Sequence, residues 1–245
     1  MSMSRDTLCV AGQDVPMAWV RDRRSRRLRL TVSERGARLS IPVRVSDAVA
    51  HAFVADHAPW IAAQWQRFRD TQEPVQWAFG LVQALPLAGE TLAVDWEVAR
   101  SARVEKHADG LRFYAPERAS AAALRRALTE FYAAEARACV GRWLPSYLEG
   151  LPRPPASFRF RALSSLWGSL SPDSRVSLDL SLVLGPWHAF EYVLVHELCH
   201  LVQANHSPAF WAEVERRWPP WREARSFLRS GQGLALKSQW RALLG

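Results

Sequence analysis

The string His196-Glu197-Leu198-Cys199-His200 sets two imidazoles four residues apart, with a carboxylate beside the first. On an α-helix that spacing is a little over one turn, so both rings leave the same face and can meet one ion. Zinc takes neutral imidazole nitrogens in a tetrahedral site and keeps one position open where it serves catalysis. Glu197 is rotated off the ligand face but can reach that open position and take a proton from a water acidified by the metal. The expected chemistry is hydrolysis, with one Zn2+ as cofactor and Glu197 as general base. The competing reading is a pair of helix histidines satisfied by local hydrogen bonds. It is weakened because three of the chain's seven histidines fall between positions 196 and 206.

A catalytic zinc needs a third protein ligand, and His206 is the preferred candidate. The intervening LVQAN should carry the chain out of the helix, since Asn205 tolerates the left-handed conformation that ends one. Ser207 and Pro208 then read as the cap and first turn of another helix, which lets His206 fold back toward the ion. Glu213 and Glu223 are competing ligands. Cys199 leaves the helix in a different direction and reads as a small buried apolar residue. Trp167, the backbone of Gly168, Ser169 and His188 are candidates for binding substrate or an oxyanion. Asp179 is a candidate acceptor for the second ring proton of a ligand histidine. His51, His57 and His107 lie outside any cluster.

The elements that must position these groups follow from periodicity. AFEYVLVHELCHLVQA, after Pro186, reads as one long helix, with shorter helices near 207–217 and 221–228. FRFRAL and RVSLDLSL read as strands, SSLWGSLSPDS as a loop between them, and 148–157 as a proline-rich connection. Leu124, Leu128, Phe131 and Tyr132 recur at helical spacing from the cap candidate Ser120, and that helix should end before Pro145. Residues 74–114 hold the strand-like pieces VQALPL, TLAVDWEV, RVEKH and LRFY, with Asp109-Gly110 as a turn. Near the start, Leu28, Leu30 and Val32 alternate with polar residues, as do Leu39, Ile41 and Val43, and ERGA separates the two runs with Gly36 free to take φ > 0. Ser46 caps a helix through Val49, Phe53 and Val54, and Pro59 opens a second carrying Trp60, Ile61 and Trp65. The reading is an α+β chain: a β-rich portion at 1–115 with a basic hairpin, then a portion at 116–245 carrying the site, as two parts or one compact body. No sequence repeat or low-complexity tail is visible.

Composition narrows the function classes. Of the 245 residues 49% are hydrophobic, enough for a substantial core, and most of the twelve tryptophans (Trp60, Trp65, Trp77, Trp96 and Trp143 among them) read as packing residues. No apolar run reaches the roughly 18 residues a membrane span requires, and the N-terminus lacks a secretory pattern. Cys9, Cys139 and Cys199 are odd in number and widely spaced, which fits a reducing cytoplasm. The net charge is +8, and thirty of the 32 basic residues are arginine. The densest patch, Arg21, Arg23, Arg24, Arg26, Arg27 and Arg29, suits phosphate, a nucleotide or nucleic acid, although a general bias toward arginine gives the same pattern.

Trp167-Gly168-Ser169, the strand ending LDLSLVL and HELCHLVQANHSPAFW at 196–211 together resemble the YgjP-like metallopeptidase family, formerly a domain of unknown function, related to SprT-like and minimal zincin-type metallopeptidases. The arginine-rich hairpin and Pro59-Trp60-Ile61 resemble its N-terminal region. The resemblance implies an α+β zincin core in which His196, His200 and His206 bind zinc and Glu197 serves catalysis. The chain departs from the family's pattern beside Trp-Gly-Ser. Relatives carry arginine before it and cysteine after it, where this chain has Leu166 and Leu170, and Asp179 stands where asparagine is common. The expected activity is peptide-bond hydrolysis on a peptide or protein substrate. The rivals are hydrolysis of a nucleotide phosphoanhydride, with the arginine patch holding phosphates, and a basic nucleic-acid-associated module with a structural zinc. Oligomeric state is not legible in the sequence.

Overall fold

In the computed structural model, which describes residues 3–10, 12–33, 36–69 and 74–245, the chain divides into two units, Met1–Gln72 and Glu73–Gly245. The first holds strands β1 (Met3–Val10), β2 (Gln13–Asp22), β3 (Arg29–Ser33) and β4 (Gly36–Pro42) in the order β1-β2-β4-β3. The expected hairpin is β3 against β4, with Leu30 opposite Leu39 and Val32 opposite Ala37. Glu34 and Arg35 of its turn lie outside the described residues. A Cβ on Gly36 would come within 2.0 Å of the Pro16 carbonyl oxygen at φ +104°, so the close approach of the backbones requires glycine. Helices α1 (Asp47–Asp56) and α2 (Ala58–Arg69) follow, and the Ser46 side chain accepts the Val49 N–H. Val15, Met17, Leu39, Ile41, Val54 and Ile61 form this unit's core. Trp60, expected to pack, is 44% exposed.

The second unit opens with β5 (Ala84–Leu87), β6 (Glu90–Val98), β7 (Arg103–His107) and β8 (Gly110–Ala115), ordered β5-β6-β8-β7. Both four-stranded sheets thus share one order and one sequence of antiparallel, parallel and antiparallel pairings. This topological repeat leaves no trace as a sequence repeat. The division falls after residue 72 rather than near 115. Leu85, Leu87, Leu111 and Phe113 of this sheet share a core with Leu124 and Leu128 of helix α3 (Ala121–Trp143), and the Tyr132 hydroxyl donates to the Pro86 carbonyl at 2.7 Å.

A three-stranded sheet carries the chain to the site. Its strands are β9 (Ser157–Arg161), β10 (Gly168–Leu170) and β11 (Arg175–Asp179), ordered β10-β11-β9. Two expectations are corrected here. The stretch read as a loop contains β10, an edge strand antiparallel to β11. RVSLDLSL ends as a strand at Asp179, because Asp179 Oδ1 accepts the Ser181 N–H at 2.8 Å and starts a 3-10 turn over Leu180–Leu184.

Helix α4 (Trp187–Cys199) follows, then α5 (Pro208–Arg217), α6 (Trp221–Arg229) and α7 (Gly231–Leu244). Phe190, Leu194, Val195 and Leu198 of α4 are fully buried, as expected of a central helix apolar on most sides. α4 stops at Cys199 with His200 as its cap, earlier than the apolar run through Ala204 implies. Asn205 does not supply a left-handed stop, since the described non-glycine residues with positive φ are Ala88 and Ser174. α7 was not expected from the sequence. No helix among the described residues is long and apolar enough to cross a membrane.

Candidate metal centre

The last turn of α4 presents His196 and Glu197, and His200 follows at the cap. The turn after it brings His206 back beneath them, just before the Ser207 cap of α5, whose hydroxyl accepts the Phe210 N–H. Among the described residues these three histidines form the cluster able to hold a metal ion, each offering one ligand atom within 4.8 Å of the others. His196 Nε2 and His206 Nε2 are 2.9 Å apart. Two ligands about 2.0–2.1 Å from a tetrahedral zinc stand roughly 3.3 Å apart, so this pair already sits near ligand spacing. His200 Nδ1 is 3.1 Å from the Gln203 carbonyl oxygen. A carbonyl only accepts, so Nδ1 carries the proton and Nε2 keeps its lone pair for a metal. Burial, reinforced by His200 and His206, lowers the pKa of His196 to about 3. Burial likewise lowers that of His200, against the pull of its Gln203 bond. Both rings are therefore neutral at pH 7, the form a metal needs. The donor set fits zinc.

Phe210 supports the cluster from below, fully buried, with its ring centroid 4.6 Å from His200, 4.8 Å from His206 and 4.9 Å from His196. Trp211 stacks on His206 at 5.8 Å. Neither aromatic stood out beforehand as part of the site, although their positions four and five residues after His206 on α5 were visible.

Glu197 is only 5% exposed. Burial raises its pKa to about 8, and a backbone hydrogen bond from Leu170 pulls the other way. A nearby dication would favour the carboxylate and offset that burial. β10 packs directly against it: a Cβ on Gly168 would lie 2.7 Å from Glu197 Oε1 and 2.9 Å from Val193 Cγ1. Gly168 is thus what allows the edge strand and the general-base candidate to touch. A cleft of about 590 Å3 opens over the histidines and Glu197, with Gly168, Ser169 and Leu170 along one wall.

The other candidates separate cleanly. Trp167 lines a second, smaller pocket that reaches His196 and Glu197. His188 is exposed at the start of α4, beside Phe227, about 12 Å of helix away from His196. It lines neither recess. Glu213 is taken up by Arg216 and Arg217, and Glu223 is exposed on the first turn of α6, so neither competes with His206. Cys199 is fully buried, as expected. Asp179 does not reach a ligand histidine. Its Oδ2 accepts the Leu163 N–H and the Lys237 ammonium, both at 2.9 Å. Lys237 also donates to the Leu163 and Leu166 carbonyls at 2.6 and 2.9 Å, and its ammonium lies 4.7 Å from the Trp167 ring centroid. Lys237 on α7 therefore pins the loop leading into β10. Sequence reasoning missed it, and the one available signal was that it is one of only two lysines in the chain. In the first unit, Arg21 is bound to Asp47 at 2.6 Å, while Arg23, Arg24, Arg26, Arg27 and Arg29 are exposed.

Comparison with known proteins bears on this arrangement. The profile described as "YgjP-like, metallopeptidase domain" matches residues 26–231. The chain belongs to the YgjP-like metallopeptidase family. A solved structure, the metallopeptidase zymogen abylysin of Pyrococcus abyssi, is 25% identical over 41% of this chain and 93% of its own length, with a TM-score of 0.28. None of the curated proteins compared matches the chain. Leu166 and Leu170, which flank Trp167-Gly168-Ser169, both sit at the site. Leu166, 55% exposed, lines both recesses, and Leu170 contributes the backbone bond to Glu197.

Proposed function

We propose that this chain is a zinc-dependent metallopeptidase with a zincin-like core, in which His196, His200 and His206 hold one Zn2+ and Glu197 is the general base. The observation that carries the reading is the convergence of three imidazoles beside a buried carboxyl group at the floor of one cleft. Zinc, when bound, acts as a Lewis acid on the scissile carbonyl and acidifies a water. Glu197 takes the proton from the attacking water and delivers it to the leaving amine nitrogen.

The peptide specificity of the reading rests on β10. In its pairing with β11, the Asp179 N–H bonds the Trp167 carbonyl and the Ser171 N–H bonds the Arg175 carbonyl. Alternation in an antiparallel ladder therefore turns the backbone groups of Gly168 and Leu170 away from β11, toward the free edge. The Leu170 N–H is taken by Glu197, leaving the Gly168 N–H and carbonyl and the Leu170 carbonyl to pair with an extended peptide laid beside the strand.

The test is turnover of unfolded proteins, peptides and nucleoside triphosphates by zinc-loaded wild type and Glu197→Gln at matched metal content. Peptide cleavage lost in the variant supports the proposal. Triphosphate cleavage lost in the same way would replace it with a nucleotide hydrolase, and zinc binding without any Glu197-dependent turnover would favour a binding module.

A further inference from the structure

On the α6 side of the histidines, a pocket of about 210 Å3 reaches in to His196 and Glu197. Trp167, Val193 and Leu228 give it apolar walls, and Arg225 and Arg229 stand at its rim. The two arginines are four residues apart on α6, so they share one helix face. Arg222, one turn earlier, is neutralised by Glu215 at 2.6 Å. Arg225 and Arg229 make no ion pair among the described residues. Arg225 is held instead by stacking, with its guanidinium 4.5 Å from the Trp211 ring centroid. Stacking occupies a face of the guanidinium and leaves the N–H groups at its edge to donate. Two cations with no ion-pair partner among the described residues line a partly open recess with apolar walls, Arg225 half-buried and Arg229 exposed. A guanidinium placed beside such walls can bind an anion through charge-assisted hydrogen bonds.

From this arrangement we infer that the pocket receives an acidic side chain of the substrate, on a residue next to the scissile bond, with Arg225 and Arg229 binding its carboxylate. The inference rests on the peptidase reading and adds the substrate class. The recess is the size of one side chain, and the fork of an arginine matches a carboxylate in a bidentate pair. A triphosphate would spread its charge over three groups and would need a longer cationic wall than these two arginines supply.

The experiment measures the affinity of Glu197→Gln protein for fluorescent peptides carrying Glu or Gln at each position in turn, with free or amidated C-termini. The same titrations are run with Arg225→Gln or Arg229→Gln added. The expected result is at least tenfold tighter binding of a Glu peptide at one position, unchanged by amidation and abolished by either arginine substitution. Equal affinities for Glu and Gln peptides, or a preference that survives both substitutions, would overturn the inference. So would discrimination that disappears on amidation, which would assign the pocket to a chain terminus, or tighter Arg229-dependent binding of a nucleoside triphosphate. Cleavage by zinc-loaded wild type is measured in parallel. Glu197-dependent cleavage with no acidic preference leaves the peptidase standing and removes the pocket's role. Arginine-dependent binding of Glu peptides without cleavage supports the carboxylate pocket and removes the peptidase.

Discussion

Replacing Glu197 with glutamine should remove activity and, in the metal-free protein, raise stability. Glu197 is 5% exposed, and the pKa of its carboxyl is raised from 4.5 to about 8, mainly by burial. Below pH 4.5 the group is protonated in both folded and unfolded chains and costs nothing. As pH rises toward 8 the unfolded chain releases a proton that the folded chain retains, so stability falls by about 1.36 kcal/mol per pH unit. The accumulated penalty is roughly 3 kcal/mol at pH 7 and approaches an upper limit of about 5 kcal/mol near pH 9. Glutamine carries no such charge. Urea unfolding of chelated wild type and Glu197→Gln from pH 4 to pH 9 should therefore give coincident midpoints in acid and an increasingly more stable variant above pH 5. A variant less stable than wild type across the range, or a gap independent of pH, would refute the assignment of Glu197 as a carboxylate held neutral by burial. Saturating zinc should shrink the gap, because a dication beside Glu197 favours its ionised form.

Three further substitutions probe the supports of the site. Gly168→Ala should push Glu197 aside, since the new Cβ would lie 2.7 Å from Oε1; peptide turnover should fall by roughly 100-fold while equilibrium zinc titration stays near wild type. Lys237→Met leaves the buried Asp179 carboxylate without its cation, and should cost about 3–5 kcal/mol in urea unfolding, with faster amide exchange over residues 163–170. His206→Ala removes one of the three proposed ligands. Competition against a chromophoric chelator should show zinc affinity reduced by roughly 100-fold or more, with far-UV circular dichroism unchanged.

The three-histidine cluster was legible because its spacing is local. A helical turn relates His196 to His200, and a cap signal at Ser207-Pro208 told where the chain would turn back under His206. The same locality made most helices readable, with Ser46, Ser120 and Ser207 each accepting the N–H three residues on. What stayed hidden depends on distant pairings. β10 is only three residues long in a serine-rich stretch, and it is a strand because β11 offers it an edge. The Asp179–Lys237 clamp joins positions 58 residues apart, and no local pattern links them. The boundary near 115 misled because it followed the change from strands to helices, whereas the core joins β5–β8 to α3. The end of α4 misled for a related reason. The apolar run continues past His200, but the chain has to turn there for His206 to reach the other two rings.

The most direct test of the central claim is stepwise return of Zn2+ to chelated protein, with cleavage of an unfolded protein followed against bound metal. The proposed centre requires cleavage to rise with zinc and level off at one ion per chain in wild type, while Glu197→Gln binds the same ion and cleaves nothing. Cleavage that is independent of zinc, or equal in the two proteins, would contradict it.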